Sequence, residues 1–422
     1  MINAKKVHII GIGGIGTSAI ARYFLASGAT VSGSDMHLSD LTKALMKEGA
    51  LIKVGHFADN IPSDCDLVVF STAVPATNVE RVAAEGRGLI MTSYPDFLGE
   101  LAKTKKTIAV SGTNGKSTTT AMIAKILIDA GMDPLVILGT QSPDLNHGNL
   151  HMGSGEWFVV EACEHMGNML KIVPDIAVVT NIEEDHLDYY NDLYDIRDHF
   201  SRWAKSAKHL VILNENDTQS KMLAIHKPVL FSQVDFDVGV PGAFNRANAA
   251  AAQQVARVAG ASDEIIEVAL KAFSGTWRRF ERVGEWKGAD IYSDYAHHPT
   301  SVRGTIAAFK EKYPDRRLVI CFEPHQFSRT EELFDDFVTS FKGTDLLIIS
   351  EVYEVEGRNE SQGVTSKDLV REIKEGGESG QVMHAEDLEK AEGLIREHVE
   401  KGDIIVIMGA GDIDLIARKL VG

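Results

Sequence analysis

Residues 110–127, VSGTNGKSTTTAMIAKIL, predict a buried strand, a glycine-rich loop and a helix in direct succession. The loop ends in GKS (115–117), as P-loops do: backbone amides cradle phosphates, the lysine reaches the β- and γ-phosphates, and the hydroxyl binds Mg²⁺. The usual G-x-x-x-x-G-K-[ST] spacing would place the first glycine at Val110, whereas Gly112 stands two residues later. The stretch therefore predicts an α/β fold with a variant phosphate-binding loop.

A second loop of this kind lies upstream in residues 8–24, HIIGIGGIGTSAIARYF. Its G-x-G-x-x-G spacing lets backbone amides approach a diphosphate at a helix N-terminus. Asp35 ends the next predicted strand, where an acidic residue accepts a hydrogen bond from a ribose hydroxyl. Alone, the pattern suggests a nicotinamide-dependent oxidoreductase, or glycines that only pack a helix on a strand. An oxidoreductase needs one such loop, so the two loops require a common explanation.

Predicted strands and helices alternate along the whole chain, starting with VHIIGI, ATVSGSD and DLVVFST and the helices after them. This order predicts doubly wound parallel sheets. A polar, basic stretch precedes the second series, and WRRFERVG opens a third. The length of 422 residues suits two or three domains. We therefore expect an α/β protein of three domains: a Rossmann-like parallel sheet in 1–105, a P-loop ATPase-like domain in 106–275 and a second Rossmann-like domain in 276–422.

The charge and cysteine content narrow the class of protein. A formal net charge of −17 argues against a nucleic-acid partner, because binding DNA or RNA requires clustered cations. The three cysteines, Cys65, Cys163 and Cys321, are widely spaced and fit a reducing cytoplasm without a disulfide framework. No apolar run of about twenty residues and no basic-then-apolar start occur, so we expect neither a membrane span nor a secretion signal.

Acidic residues follow two predicted strands of the second series. Glu161 ends FVVE, and VVTNIEEDH places Glu183, Asp185 and His186 after another apolar run. Each could be a solvated loop charge. The carboxyl ends of parallel strands meet at one edge of a sheet, however, and Mg²⁺ prefers hard oxygen ligands beside a phosphate. Together with the P-loop, the clusters favour metal binding.

The remaining polar motifs lie near the start of the third series and within it. Asn245 and Asn248 are three residues apart and share a face of a predicted helix. DYAHHP (294–299) follows a predicted strand, and Pro299 predicts an exposed turn there. Its paired histidines suggest substrate contact or a plain surface turn rather than zinc. FEPHQFSRT ends another strand with a histidine and Arg329, which suits a carboxylate ligand.

Taken in order, these motifs resemble those of the Mur ligases, the ATP-dependent enzymes that build the peptidoglycan precursor in the bacterial cytoplasm. The resemblance spans essentially the whole chain and rests on GIGGIGTSAIA, GSD, GH at 55–56, FSTAV, SGTNGKSTTT, VVTNIEEDHLD, DYAHHPT and FEPHQFSRT. Within the family, it is strongest to the enzyme that joins L-alanine to the lactyl carboxylate of UDP-N-acetylmuramate. It implies ATP and Mg²⁺, an acyl-phosphate intermediate, and a monomer or weak homodimer without membrane or nucleic-acid partners.

The resemblance also implies roles for residues at matching positions. The UDP sugar would contact the first loop and three residues beyond it: Gly11, Gly13, Gly14, Gly16, Asp35, His56 and Ser71. ATP would contact the second loop and four residues further along: Gly112, Thr113, Asn114, Gly115, Lys116, Ser117, Thr118, Asn245, Asn248, Arg279 and Asp294. The catalytic set would be Lys116, Glu161, His186 and Arg279, with Ser117, Glu161 and His186 on the metal. The amino acid would contact Tyr295, His325 and Arg329.

Some positions depart from the family pattern. The chain has EACEH (161–165) where E-A-D-E-S is common, and Gln326 where arginine is frequent. Together with SYPDFLGEL (93–101), the first departure keeps open a murein-recycling ligase that attaches a tripeptide to the same UDP sugar, although PHQFSRT favours the alanine enzyme. A non-catalytic nucleotide-binding regulator on the same scaffold is a further alternative. The oxidoreductase leaves the second loop and the acidic strand ends without a role.

Overall fold

The computed structural model describes residues 2–187, 189–354, 363–376 and 379–422, and over these the chain forms three β-sheets. The α/β class predicted from the alternating pattern is confirmed. By contacts, the chain divides into two compact units, Met1–Phe236 with Ala247–Ser274, and Asp237–Arg246 with Gly275–Gly422. The first unit contains two of the sheets and the second unit contains the third.

The first sheet is parallel throughout, with strand order β3-β2-β1-β4-β5. Its strands are β1 Lys6–Ile10, β2 Thr30–Asp35, β3 Leu51–Val54, β4 Leu67–Phe70 and β5 Met91–Ser93. Its helices are α1 Ile15–Ala26, α2 Asp40–Lys47, α3 Val79–Gly86 and α4 Tyr94–Ala102, with a 3₁₀ turn at Ala58–Asn60. The chain reverses its direction of progression between β1 and β4, and α/β sheets bind ligands beyond the strand ends at such a point.

The second sheet has the order β12-β11-β10-β6-β9-β7-β8, in which only β8 runs antiparallel to its neighbour. Its strands are β6 Lys106–Ser111, β7 Leu135–Ile137, β8 Leu150–Met152, β9 Trp157–Glu161, β10 Ile176–Val179, β11 Leu210–Asn214 and β12 Val229–Phe231. Its helices are α5 Lys116–Asp129, α6 Leu193–Lys205, α7 Thr218–Lys221, α8 Ala243–Ala259 and α9 Asp263–Lys271, with 3₁₀ structure at His165–Lys171. Because β6 lies between β9 and β10, the loop after β6 meets the ends of both.

One hydrophobic core joins the first two sheets. It runs from Val7 and Phe24 through Phe97 to Phe158 and Trp203, all buried. The predicted range 1–105 and most of the predicted range 106–275, without residues 237–246 and 275, therefore form a single compact unit. The boundaries of the three predicted domains stay a prediction.

The third sheet has the order β13-β14-β18-β15-β16-β17, parallel except for β13. Its strands are β13 Glu281–Trp286, β14 Ala289–Asp294, β15 Leu318–Phe322, β16 Leu346–Ile349, β17 Gln381–His384 and β18 Ile404–Met408. Its helices are α10 Pro299–Lys312, α11 Phe327–Glu332, α12 Phe334–Ser340, α13 Ser366–Gly376, α14 Leu388–His398 and α15 Asp414–Val421. Separate cores cover its two faces, which explains the continuous apolar runs of β15, β16 and β18.

Sequence patterns predicted the central strands better than the short edge strands. The edge strands β3, β5, β8 and β12 have three or four residues each, too few for a clear alternation. Among the described residues, no helix combines the length and apolar composition needed to cross a bilayer.

Candidate active site

The first glycine loop lies at the carboxyl edge of the first sheet, between β1 and α1. Gly11 has φ +74°, and a Cβ there would lie 3.1 Å from the Cβ of Ser71, which follows β4. The amide of Gly13 donates to Oδ2 of Asp35 at 2.8 Å, and Gly14 is the N-cap of α1. The structure thus brings the loop, Asp35 and Ser71 together. One carboxylate oxygen of Asp35 already accepts a hydrogen bond from the loop.

His56 follows β3 at the same edge of the sheet. Its Nδ1 lies 3.0 Å from the hydroxyl of Ser34 and 3.4 Å from Oε1 of Glu80. His56, which is predicted to contact the UDP sugar, is therefore positioned by the carboxylate of Glu80. The sequence patterns did not identify Glu80.

Glu80 is completely buried and accepts hydrogen bonds from several donors. It accepts hydrogen bonds from Ser34 at 2.7 Å, from the side chain of Asn60 at 2.7 Å and from the amide of Phe57 at 3.1 Å. Nε2 of His8 lies 2.9 Å away. Burial by itself raises the pKa of this carboxyl, but the hydrogen bonds, that of His8 foremost, lower the pKa to about 2. Glu80 is therefore an ionised acceptor that ties the segment after β3 to β1 and β2.

The second glycine loop is enclosed so closely that only glycine fits at two positions. Gly112 has φ +142°, and a Cβ there would lie 1.9 Å from the hydroxyl oxygen of Thr180. Gly115, the N-cap of α5, has φ +84°, and a Cβ there would lie 2.5 Å from Oδ1 of Asn248. The end of β10 and helix α8 therefore hold the loop from two sides.

Lys116 begins α5 and turns back over its own loop. Its Nζ donates to the carbonyls of Gly112 and Thr113, at 2.6 and 3.0 Å, and to Oε1 of Glu164 at 2.9 Å. Burial lowers the pKa of Lys116, but the negative charges around it, that of Glu164 foremost, outweigh burial and raise the pKa. The ammonium is therefore charged and points into the loop, as phosphoryl-transfer chemistry requires.

The loop is also fixed by the segment after β10. The amide of Asn114 donates to Oδ1 of Asn181 at 2.9 Å, and the amide of Thr113 donates to the backbone carbonyl of Asn181 at 3.0 Å. The amide of Glu183 donates to the hydroxyl of Thr113 at 2.9 Å. Asn181 and the backbone of Glu183 thus shape the phosphate loop.

Two carboxylate oxygens close to the loop are buried without a hydrogen-bond partner. They are Oε2 of Glu161, at the end of β9, and Oε2 of Glu164. Gly139 leaves room for the first, since a Cβ there would lie 2.8 Å from Oε2 of Glu161. An unpaired buried carboxylate oxygen is costly, and a cation compensates for that cost. Ser117, buried in the first turn of α5, stands at the same edge.

His186 lies in the same cluster, with φ +56°. Its Nε2 lies 3.8 Å from Oε1 of Glu164, and its ring lies against that of His165, with centroids 4.4 Å apart and planes inclined by 32°. The Ser-to-His departure at position 165 therefore places a second imidazole against the predicted metal ligand.

These residues fit Mg²⁺ bound mainly through phosphate and water. Over residues 2–187, 189–354, 363–376 and 379–422, no three His, Cys, Asp or Glu side chains form a metal site by themselves. Mg²⁺ commonly takes only one or two carboxylates and completes its shell with substrate oxygens. The unpaired oxygen of Glu161 is suited to that role.

In the second unit, Asp294 ends β14 and is buried. It accepts hydrogen bonds from the amides of Phe280 and Ala296, at 2.8 and 2.9 Å, and from the hydroxyl of Thr305 at 3.2 Å. Burial raises its pKa above the ordinary value. The prediction of an exposed turn after Asp294 is wrong, because His298 caps α10 and is also buried.

Arg279, predicted to contact ATP, and its neighbour Arg278 both lie beside the ring of Tyr295. The guanidinium carbons of Arg278 and Arg279 lie 5.0 and 5.3 Å from the centre of its ring. Arg278 is buried and donates to the carbonyls of Gly409 and Gly411. Arg278 therefore has a structural role, and Arg279, only half-buried, is the better placed of the two for a substrate.

The predicted amino-acid residues His325 and Arg329 are adjacent. Nη1 of Arg329 lies 3.3 Å from Nδ1 of His325 and donates to its carbonyl at 3.2 Å. The ring of His325 stacks on Tyr353, with centroids 5.4 Å apart and planes inclined by 10°. Gln326, which lies between them in the sequence, is buried. Its backbone has φ +72°, a conformation that residues other than glycine rarely adopt.

Asn245 and Asn248 both lie in α8, which confirms that they share one helix. Asn245 is buried and donates to the carbonyl of Pro241 at 2.7 Å, bracing the turn before the helix. Asn248 stands against Gly115, as described above. Their predicted contact with adenine stays a prediction.

Sequence reasoning missed functional candidates whose signals were weak. The buried residues of α3 are Glu80 and Ala84, so Glu80 is an acidic residue on the buried face of that helix. Glu164 was visible only as the second acid of EACEH, and Tyr353 as a lone aromatic after β16. In each case the partner lies far along the chain, so no local pattern could have identified it.

Comparisons with known proteins cover almost the whole chain. Three family profiles match successive parts: the Mur ligase family catalytic domain at residues 6–106, the Mur ligase middle domain at 110–232, and the Mur ligase glutamate ligase domain at 278–411.

The chain is 37% identical over 443 residues to the UDP-N-acetylmuramate–L-alanine ligase of Aquifex aeolicus, covering 97% of this chain and 95% of that protein. It is 35% identical to the enzyme of the same name from Alkaliphilus metalliredigens, covering 99% and 97%.

Solved structures give the same result. The UDP-N-acetylmuramate–alanine ligase of Thermotoga maritima matches with a TM-score of 0.85 at 28% identity, covering 99% of this chain and 98% of that one. A murein peptide ligase from Psychrobacter arcticus shares the fold, with a TM-score of 0.71 at 24% identity and coverage of 99% and 98%.

Proposed function

The chain belongs to the Mur ligase family, and we propose that it joins L-alanine to the lactyl carboxylate of UDP-N-acetylmuramate with conversion of ATP to ADP and phosphate. Relatives of that name match it at 35–37% identity over nearly its whole length. The observation that carries the proposal is the pairing of two glycine loops within one unit. Only the second loop has a partly buried lysine and, beside it, carboxylate oxygens without a hydrogen-bond partner.

The first loop would hold the diphosphate of the UDP sugar as a substrate group that does not react. Backbone amides at the N-terminus of α1 suit a diphosphate. Asp35, His56 and Ser71 would contact the nucleoside, at the strand ends that surround the loop. A nicotinamide cofactor is not needed, because this site only binds and orients.

The second loop would carry the chemistry. A lactyl carboxylate oxygen attacks the γ-phosphorus of ATP, the bond to the β–γ bridging oxygen breaks, and an acyl phosphate and ADP result. The amine of L-alanine then attacks the acyl carbon and phosphate leaves. Lys116, charged and directed into the loop, would neutralise the negative charge that develops on the phosphate in the first step.

The remaining loop residues would hold the phosphates and the metal. Mg²⁺, when bound, would add positive charge beside the phosphate oxygens. We assign it to Ser117, Glu161 and His186. The phosphate-binding residues would be Gly112, Thr113, Asn114, Gly115, Lys116 and Thr118, and Asn245 and Asn248 would lie near the adenine.

The second unit would supply the remaining contacts. Arg279 and Asp294 would contact ATP, and Tyr295, His325 and Arg329 would shape the amino-acid pocket. A planar guanidinium at Arg329 is suited to the carboxylate of L-alanine. His186 would assist in removing a proton from the amine. We place the enzyme in the cytoplasm, as a monomer or weak homodimer.

Phosphate release from ATP in the presence of UDP-N-acetylmuramate tests the proposal. Release with L-alanine, but not with a murein tripeptide, is the expected result. Release with the tripeptide alone would instead assign the recycling reaction. No release with either amine, despite binding of both nucleotides, would indicate a regulator.

A further inference from the structure

Tyr94 lies at the junction of the first two sheets. It is the first residue of α4 and directly follows β5, so it stands at the carboxyl edge of the first sheet. Ser93 caps the helix by accepting from the amide of Asp96, and Pro95 stands in its first turn. The position of Tyr94 is therefore fixed by the backbone on both sides.

The phenol of Tyr94 packs on the first glycine loop. A Cβ at Gly16 would lie 2.5 Å from Cζ of Tyr94 and 2.8 Å from its hydroxyl oxygen. Gly16 lies in the first turn of α1, where backbone amides are available to a diphosphate. The absence of a side chain at Gly16 is thus what lets the hydroxyl approach this turn.

The same phenol is also influenced by the second sheet. Burial, and then the negative charge of Glu161, raise the pKa of Tyr94. Glu161 ends β9. The hydroxyl therefore stays protonated and is a neutral donor beside the first glycine loop.

We propose that the Tyr94 hydroxyl donates a hydrogen bond to the lactyl carboxylate of the UDP sugar. This inference rests on the proposed function. The substrate has to extend from its diphosphate at the Gly11–Gly16 loop to its reacting carboxylate beside Lys116. Tyr94 contacts Gly16 at the first end of that path. The helix that begins at Tyr94 packs on the segment that follows β9, where Asp96 pairs with Lys171 at 2.9 Å. A neutral donor there orients one carboxylate oxygen without neutralising the nucleophile.

Binding measurements without ATP or amino acid test this role. Calorimetry would compare UDP, UDP-N-acetylglucosamine and UDP-N-acetylmuramate, of which only the last has the lactyl group. For Tyr94→Phe we expect about 10-fold weaker binding of UDP-N-acetylmuramate, the effect of one lost hydrogen bond, with the other two ligands unchanged. Tyr23→Phe is the matched control, because Tyr23 lies in the same domain but packs on Phe24 and Phe97.

Each other outcome overturns the proposal. Unchanged binding of all three ligands by Tyr94→Phe would show that the hydroxyl makes no contact with the sugar. Equal weakening of all three would show that Tyr94 only supports the diphosphate loop. Wild-type protein that fails to bind UDP-N-acetylmuramate would overturn the proposed function as well, whereas tripeptide use in the turnover assay would leave the Tyr94 result intact.

Discussion

The two glycine loops share one backbone design and differ in the side chains around them. Both follow a central parallel strand and precede a helix with a glycine N-cap. Around the first loop, Asp35 accepts from a loop amide and the buried Glu80 is saturated with donors. Around the second, the partly buried Lys116 pairs with Glu164, and one oxygen each of Glu161 and Glu164 has no hydrogen-bond partner.

This difference separates binding from chemistry. Satisfied polar groups form a rigid surface that holds a ligand by its shape and its backbone contacts. A buried cation beside unpaired carboxylate oxygens has charge available for a metal and for a phosphate in transition. In the proposed function, glycine spacing marks a loop that binds phosphate, whereas the neighbouring strand ends determine which of the two loops carries the chemistry.

Replacing Lys116 should have the largest effect, and it should impair the second loop without affecting the first. In Lys116→Ala we expect phosphate release to fall by about 1,000-fold or more, because the loop loses the cation that pairs with Glu164, while UDP-N-acetylmuramate binds as in the wild type. Turnover and calorimetry check the two halves of this statement. Lys125→Ala on the same helix, paired with Asp129, is the control. Loss of UDP-sugar binding in Lys116→Ala would mean that the loops do not act separately.

Glu161 tests whether the unpaired oxygens serve a metal. For Glu161→Gln we expect turnover to fall by about 100-fold, with a higher Mg²⁺ concentration needed for half-maximal rate, because an amide is a weaker ligand than a carboxylate. The Mg²⁺ dependence of phosphate release measures this. Glu156→Gln removes a carboxylate that is paired with Lys106 at the surface and should change nothing. An unaltered Mg²⁺ dependence in Glu161→Gln contradicts the metal assignment.

Glu80 tests the first loop through stability and its pH dependence. Its folded pKa of about 2 lies below the ordinary 4.5, so its stabilising effect is complete above pH 4.5 and is lost as the pH falls toward 2. We expect Glu80→Gln to lose roughly 1–3 kcal/mol of unfolding free energy at pH 7. Denaturant melts should show this deficit shrinking as the pH falls from 5 to 3.

The same variant should weaken UDP-sugar binding and leave ATP binding unchanged, because Glu80 positions His56. Glu85→Gln, exposed on the same helix, controls for a change of charge on α3. A deficit that stays constant with pH would show that ionisation of Glu80 does not stabilise the fold.

Local patterns predicted the architecture well. Apolar runs such as VHIIGI and DLVVFST became interior strands of the first sheet, and each glycine loop lies between its strand and helix. These predictions succeeded because a strand buried on both faces must be apolar over its full length. The turn after Asp294 was predicted wrongly, because a proline signals a break in a strand but not whether the break is exposed.

The sequence by itself determined the α/β class, the two phosphate loops and the acidic strand ends, since each depends on residues close together in the chain. Only the tertiary structure showed that Glu80 holds His56, that Glu164 pairs with Lys116, and that Tyr94 lies against Gly16. These contacts depend on strand order and helix packing, which bring distant residues together and leave no periodic trace in the chain. The loops were therefore readable in advance, and the division of labour between them was not.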